Sequence, residues 1–88
     1  MKLNKEYVLR QIVGMWVLIP LGKTGKDFRG LIKLNDTGAA IWQGLEQGKT
    51  PAELADQLAA EYEITREQAA QDISAYLDKL ADAGCLER

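Results

Sequence analysis

The chain is 88 residues long and 47% hydrophobic, with thirteen acidic and eleven basic side chains and a net charge of −2. That length holds one small domain, and so even a charge balance argues against a nucleic-acid or anionic-membrane partner. With no histidine and a single cysteine, Cys85, the chain lacks the residues for His-based general-base catalysis, most zinc sites, an intrachain disulfide or a CxxC pair.

Three strands are predicted first. Tyr7 to Ile12 is rich in Tyr, Val, Leu and Ile, and Val13-Gly14 is short enough for a hairpin turn. Met15 to Ile19 forms the second strand, ended by Pro20. Leu21 to Asp27, with two glycines and three charges, reads as a loop. Phe28 to Leu34 is the third strand, with Phe28, Gly30, Ile32 and Leu34 on one face and Arg29, Leu31 and Lys33 on the other.

Three helices follow. Asn35, Asp36 and Thr37 carry short side-chain oxygens suited to the orphan amides of a first helical turn. Gly38, Ala39 and Ala40 leave that turn almost without side-chain bulk, so it can press closely on a neighbour. The first helix spans Thr37 to Glu46 and stops near Gly48. The second opens with Thr50-Pro51-Ala52-Glu53, a capping box with proline at the first helical position. Its apolar face is Leu54, Ala55, Leu58, Ala59 and Tyr62. The third opens with a second capping box, Thr65-Arg66-Glu67-Gln68, and carries Ala69, Ile73, Tyr76, Leu77, Leu80 and Ala83 before Gly84. The order is βββααα, an α+β domain spanning residues 1–88.

Little here supports covalent chemistry. The carboxylates fall mostly on the polar faces of the second and third helices. Gly44-Leu45-Glu46-Gln47-Gly48-Lys49-Thr50 approaches G-x-x-x-x-G-K-[ST] but is one residue short, follows no strand and precedes a proline. Lys49-Thr50 is therefore read as loop and cap. Cys85, between Gly84 and Leu86, reads as a small buried hydrophobe. The residues describe a non-enzymatic binder with no cofactor of its own. Met1 to Glu6 has no apolar core for a signal peptide, and the longest apolar run, Ile12 to Leu21, is about half a membrane span. The expected location is the cytoplasm, with no membrane partner.

Two features suit an extended peptide. The third strand ends one edge of the meander, and its amides and carbonyls can accept a further strand. On the third helix, about 100° per residue puts Leu77, Ile73, Leu80 and Ala69 at the centre of the apolar stripe. Tyr76 and Ala83 lie at its border, with Asp72 and Lys79 just beyond. That border either walls a groove beside the third strand or, in the case of Tyr76, simply finishes the core.

Leu34 to Trp42 fits the signature L-N-x-T-G-x-x-I-W throughout, and the chain resembles the PqqD family, named for pyrroloquinoline quinone biosynthesis. Gly48 followed by Thr50 to Glu53 matches the family's glycine turn and T-x-x-E helix start. Asp72, Ile73, Tyr76, Leu77, Leu80, Gly84 and Leu86 match D-[VI]-x-x-[FY]-L-x-x-L-x-x-x-G-x-[LI]. The resemblance covers Tyr7 to Glu87. It implies a winged-helix-turn-helix-like domain, a peptide chaperone that captures the leader segment of a ribosomally made precursor peptide. In the family the leader adds beside the third strand, packs against the third helix and is presented to a modifying enzyme, most often a radical S-adenosylmethionine enzyme. By position, the binding wall is Gly30, Leu31, Ile32, Lys33 and Leu34, facing Asp72, Tyr76, Lys79, Leu80 and Ala83.

Two other readings compete. A DNA-binding winged helix shares the implied topology, but the third helix sets Arg66 and Lys79 against Glu67, Asp72, Asp78 and Asp82, the wrong balance for phosphate contact. A structural assembly module is the other, because Met15, Val17 and Ile19 together with Trp16 and Leu18 give the second strand apolar residues on both faces. One face then suits a second copy or the partner enzyme, and a homodimer by edge pairing would compete with peptide for the same strand.

Overall fold

A computed structural model describes residues 2–21 and 31–87. A three-stranded antiparallel sheet of order β2–β3–β4 is followed by three helices. Its strands are β2 (Tyr7–Ile12), β3 (Met15–Pro20) and β4 (Ile32–Leu34); a short β1 (Lys2–Leu3) precedes them. The helices are α1 (Asp36–Glu46), α2 (Pro51–Tyr62) and α3 (Arg66–Asp82), and β5 (Leu86–Glu87) closes the order. The α+β architecture is the one the residue pattern predicts.

The β2–β3 hairpin turns on Val13 and Gly14, with φ of +49° and +77°. Two positive φ values in a two-residue loop are the pattern of a type I′ turn, which matches the twist of the flanking strands. Glycine adopts this conformation freely; a β-branched valine does not. Val13 is also 94% exposed, so no packing offsets the strain. Val13→Asn is expected to raise the unfolding free energy by about 1 kcal/mol, measured by urea denaturation.

β4 pairs with β3 through Leu18↔Ile32, Val17↔Lys33 and Trp16↔Leu34, and β2 holds the other edge. It is shorter than the predicted third strand: Leu31 lies just outside it, and Phe28 to Gly30, with most of the predicted Leu21 to Asp27 loop, fall outside the described residues. The predicted two-faced alternation holds where it can be seen, with Ile32 partly buried and Leu34 buried against exposed Leu31 and Lys33. β3 is buried on both sides, since Val17 and Leu18 are 3% and 0% exposed. On its outer face Val17 lies between its cross-strand neighbours Arg10 and Lys33, while Met15 stays exposed beside its partner Ile12.

Each helix starts where its cap is. Asn35 accepts from the Gly38 amide (2.8 Å), so α1 begins one residue earlier than predicted. Thr50 and Glu53 form the reciprocal capping box, and the Thr50 amide holds the Glu53 carboxyl below its ordinary pKa. This also settles Lys49-Thr50 as loop and cap; the Lys49 ammonium donates to Gln57 (2.7 Å). The second predicted box forms only by half. Thr65 accepts from the Gln68 amide (3.0 Å), but the Gln68 side chain donates to Asp72 one turn ahead (2.9 Å), a partner with full negative charge.

The core gathers Leu18 and Leu34 from the sheet, Ile41 and Trp42 from α1, Leu54 and Leu58 from α2, and Ile73, Leu77 and Leu80 from α3. Cys85 is buried among them as expected, and burial pushes its thiol up to about 11. The β1–β5 pair, Lys2↔Glu87 and Leu3↔Leu86, has no counterpart in the sequence reading. Two-residue strands are too short to show a period. Asn4 fastens this pair further, its amide donating to the Cys85 carbonyl (2.9 Å) and its side chain to the Gly84 carbonyl (3.0 Å).

Candidate functional site

β4 has no strand on its outer side among the described residues. It packs on β3 and on the start of α1, whereas α3 packs mainly on α2 and β5. Beyond the shared core, Tyr76 ties α3 to the β4–α1 corner. Its hydroxyl donates to Asn35 Oδ1, the same oxygen that accepts from the Gly38 amide. The ring lies over Gly38 so closely that a Cβ there would sit 2.6 Å from Tyr76 Cε1 and 2.9 Å from Cζ. Burial is the main cause of a hydroxyl pKa raised above the ordinary tyrosine value. The nearby Asp72 charge raises it further, and the Asn35 bonds act in the opposite direction.

Residues three and four apart on a helix share a face, so Asp72 and Lys79 flank Tyr76. The Lys79 ammonium lies 5.9 Å from the ring centroid, within cation–π range. Asp72 is half-buried and accepts from Gln68. This face of α3 therefore presents a carboxylate, an aromatic ring and an ammonium in succession. A cleft lined by Met15, Trp16, Lys33, Leu34, Asn35 and Asp36 continues the surface past the end of β4.

The residues expected to form the wall are placed unevenly. Leu31 is 58% exposed, Lys33 is exposed and Ile32 is partly buried against the core; with Asp72, Tyr76 and Lys79 they are available at the surface. Leu80, at 0% exposure, and Leu34, at 6%, are core residues. Leu80 thus has no side-chain surface to offer a groove, and Leu34 can contribute its backbone. Ala83 follows the last turn of α3, and its carbonyl accepts from the Tyr7 hydroxyl (3.4 Å). That contact ties it to β2, at the opposite edge of the sheet from β4. Gly30 lies outside the described residues.

Asn35 and Gly38 were not among the expected wall residues, yet both hold Tyr76. A signal for them exists in the sequence. Gly38 lies inside a helix without a positive φ, where alanine is preferred by about 1 kcal/mol. A glycine at such a place implies close approach by another group. Among the described residues no three metal-ligating side chains are grouped to hold an ion, and no helix is long and apolar enough to cross a membrane.

Comparison with known proteins bears on this geometry. No curated protein matches the chain. Among solved structures, TbiB1 in complex with the TbiA(beta) leader peptide is 32% identical, with a TM-score of 0.82 over 99% of this chain and 95% of that one. A lasso peptide synthetase B1 complexed with the leader peptide is 35% identical, with a TM-score of 0.80 over 94% and 92% of the two chains. The family model of coenzyme PQQ synthesis protein D matches residues 15–86, a span that takes in the Leu34–Trp42 signature, the T-x-x-E start of α2 and the whole of α3. The chain belongs to the PqqD family.

Proposed function

We propose that this chain is a non-catalytic adaptor that binds the leader segment of a precursor peptide as an added strand on β4, beside the Asp72–Tyr76–Lys79 face of α3, and presents it to a modifying enzyme. One observation carries the reading: two neighbours that match nearly the whole chain are each solved with a leader peptide. It is supported by β4, which keeps a sheet edge without a partner strand among the described residues. The energetics agree with a two-sided site. The three residues of β4 offer at most four outward strand-pairing hydrogen bonds, roughly 1 kcal/mol each, against the about 8 kcal/mol of micromolar affinity. Burial of one or two apolar peptide side chains against α3, at about 1.5–3 kcal/mol each, makes up the difference. Backbone pairing would set register, and α3 would set selectivity.

The modifying enzyme implied by the PqqD resemblance is a radical S-adenosylmethionine enzyme. The similarity to a lasso peptide synthetase protein favours a lasso peptide synthetase as the second reading of that partner. In either case the adaptor acts by raising the local concentration of peptide at the enzyme.

The strand-addition step can be tested without altering the protein. A short fluorescein-labelled peptide is selected against the wild-type chain from a random display library, and its backbone amides are N-methylated one at a time. Successive amides of a strand point to opposite sides, so affinity is expected to fall about fivefold or more at alternate positions, roughly 1 kcal/mol per lost bond. Losses without a two-residue period, or none, would refute strand addition.

A further inference from the structure

We propose that Asn35 and Gly38 are positioning residues of the peptide site, acting through Tyr76. The proposal rests on the peptide-binding reading and adds how the wall facing β4 is held. Asn35 Oδ1 serves two donors at once, the Gly38 amide at the start of α1 and the Tyr76 hydroxyl from α3. The absent side chain of Gly38 provides the space the ring occupies. Lys79 lies over the ring. Tyr76 is thereby fixed by hydroxyl, edge and face while remaining partly exposed.

Fixing that ring matters for binding because an aromatic side chain free to rotate must be ordered when peptide arrives. Ordering one such side chain costs about 0.5–1.5 kcal/mol, a factor of roughly two to ten in affinity. A ring already held against the β4–α1 corner avoids that loss and keeps the width between the sheet edge and α3 constant. The LN-x-TG segment then has a second task besides capping α1. Its asparagine and glycine shape the surface through the position of Tyr76, the glycine by having no side chain at all.

A double-mutant cycle separates this role from a merely structural one. Peptide affinity, by fluorescence polarisation with the selected peptide described above, and thermal unfolding are measured for wild type, Gly38→Ala, Tyr76→Ala and the double variant. With Tyr76 present, Gly38→Ala is expected to weaken binding about two- to tenfold and to lower Tm, since the new Cβ displaces the ring. With Tyr76 already alanine, the same substitution is expected to leave affinity unchanged and to raise Tm by about 4–8 °C, as helix preference alone predicts. Should Gly38→Ala prevent folding, Tyr76→Phe keeps the ring, frees it from Asn35, and is expected to weaken binding at least twofold; wild-type affinity would overturn the proposal. An equal loss of affinity in both backgrounds, or Gly38→Ala binding as tightly as wild type, overturns the positioning role while leaving peptide binding in place. A wild-type chain that captures no peptide overturns the underlying reading instead.

Discussion

Replacing Trp42 with alanine is expected to lower the unfolding free energy by about 3–5 kcal/mol, the range for removing a buried large aromatic side chain. Trp42 is 1% exposed and lies in the cluster that joins α1 to the sheet and to the other two helices. Small domains hold only about 5–15 kcal/mol in total, so the variant is expected to be largely unfolded at physiological temperature or close to it. Urea denaturation followed by circular dichroism measures the loss, with Trp16, partly buried at the rim of the core, as a fluorescent reporter. Trp42→Phe should cost less. The indole N–H of Trp42 is buried without a hydrogen-bond partner among the described residues, and an unsatisfied buried donor itself costs about 1–3 kcal/mol. Phenylalanine loses volume but removes that donor. If Trp42→Phe proves as damaging as Trp42→Ala, the residue is held by more than its apolar contacts.

Leu80→Ala is expected to cost about 2–5 kcal/mol of stability while leaving the peptide affinity of the folded molecule within about twofold of wild type. The reason is its burial: at 0% exposure the side chain has neighbours from the core and no open surface. The two measurements must be made together, with affinity determined at a temperature where the variant is still folded. A stable Leu80→Ala chain with weakened peptide binding would return Leu80 to the groove wall, where position-by-position correspondence with the PqqD family puts it. Helical spacing says otherwise, because about 100° per residue places Leu80 at the centre of the apolar stripe with Leu77 and Ile73. The structure sides with the spacing.

The parts of this fold legible in the sequence are those with local causes. The caps at Thr50 and Thr65 follow from side-chain oxygens three residues from an unpaired amide, and both are formed. The β2–β3 hairpin follows from two apolar runs separated by Val13-Gly14. The stripe on α3 follows from its period, and Ala69, Ile73, Leu77 and Leu80 are all buried. The candidate site is less legible. Leu31, Lys33, Asp72, Tyr76 and Lys79 can be picked out as exposed or bordering positions, but their company cannot. Ala83 illustrates the limit: it borders the stripe in projection, yet its carbonyl meets Tyr7 of the opposite edge strand.

The sequence by itself determined the order of the three main strands and three helices, the capping residues and the family, because each depends on residues within a few positions of one another or on a pattern of fixed spacing. Only the tertiary structure decided what Tyr76 does. Its partner Asn35 is 41 positions away, and no local preference links the two; the contact exists because Gly38 leaves room for a ring arriving from α3. The β1–β5 pairing has the same character, joining Leu3 to Leu86 through backbone groups that every residue carries. Local chemistry thus settled the three main strands and the three helices, and the close approach of distant segments settled β1 and β5 and which side chains stand beside the sheet edge.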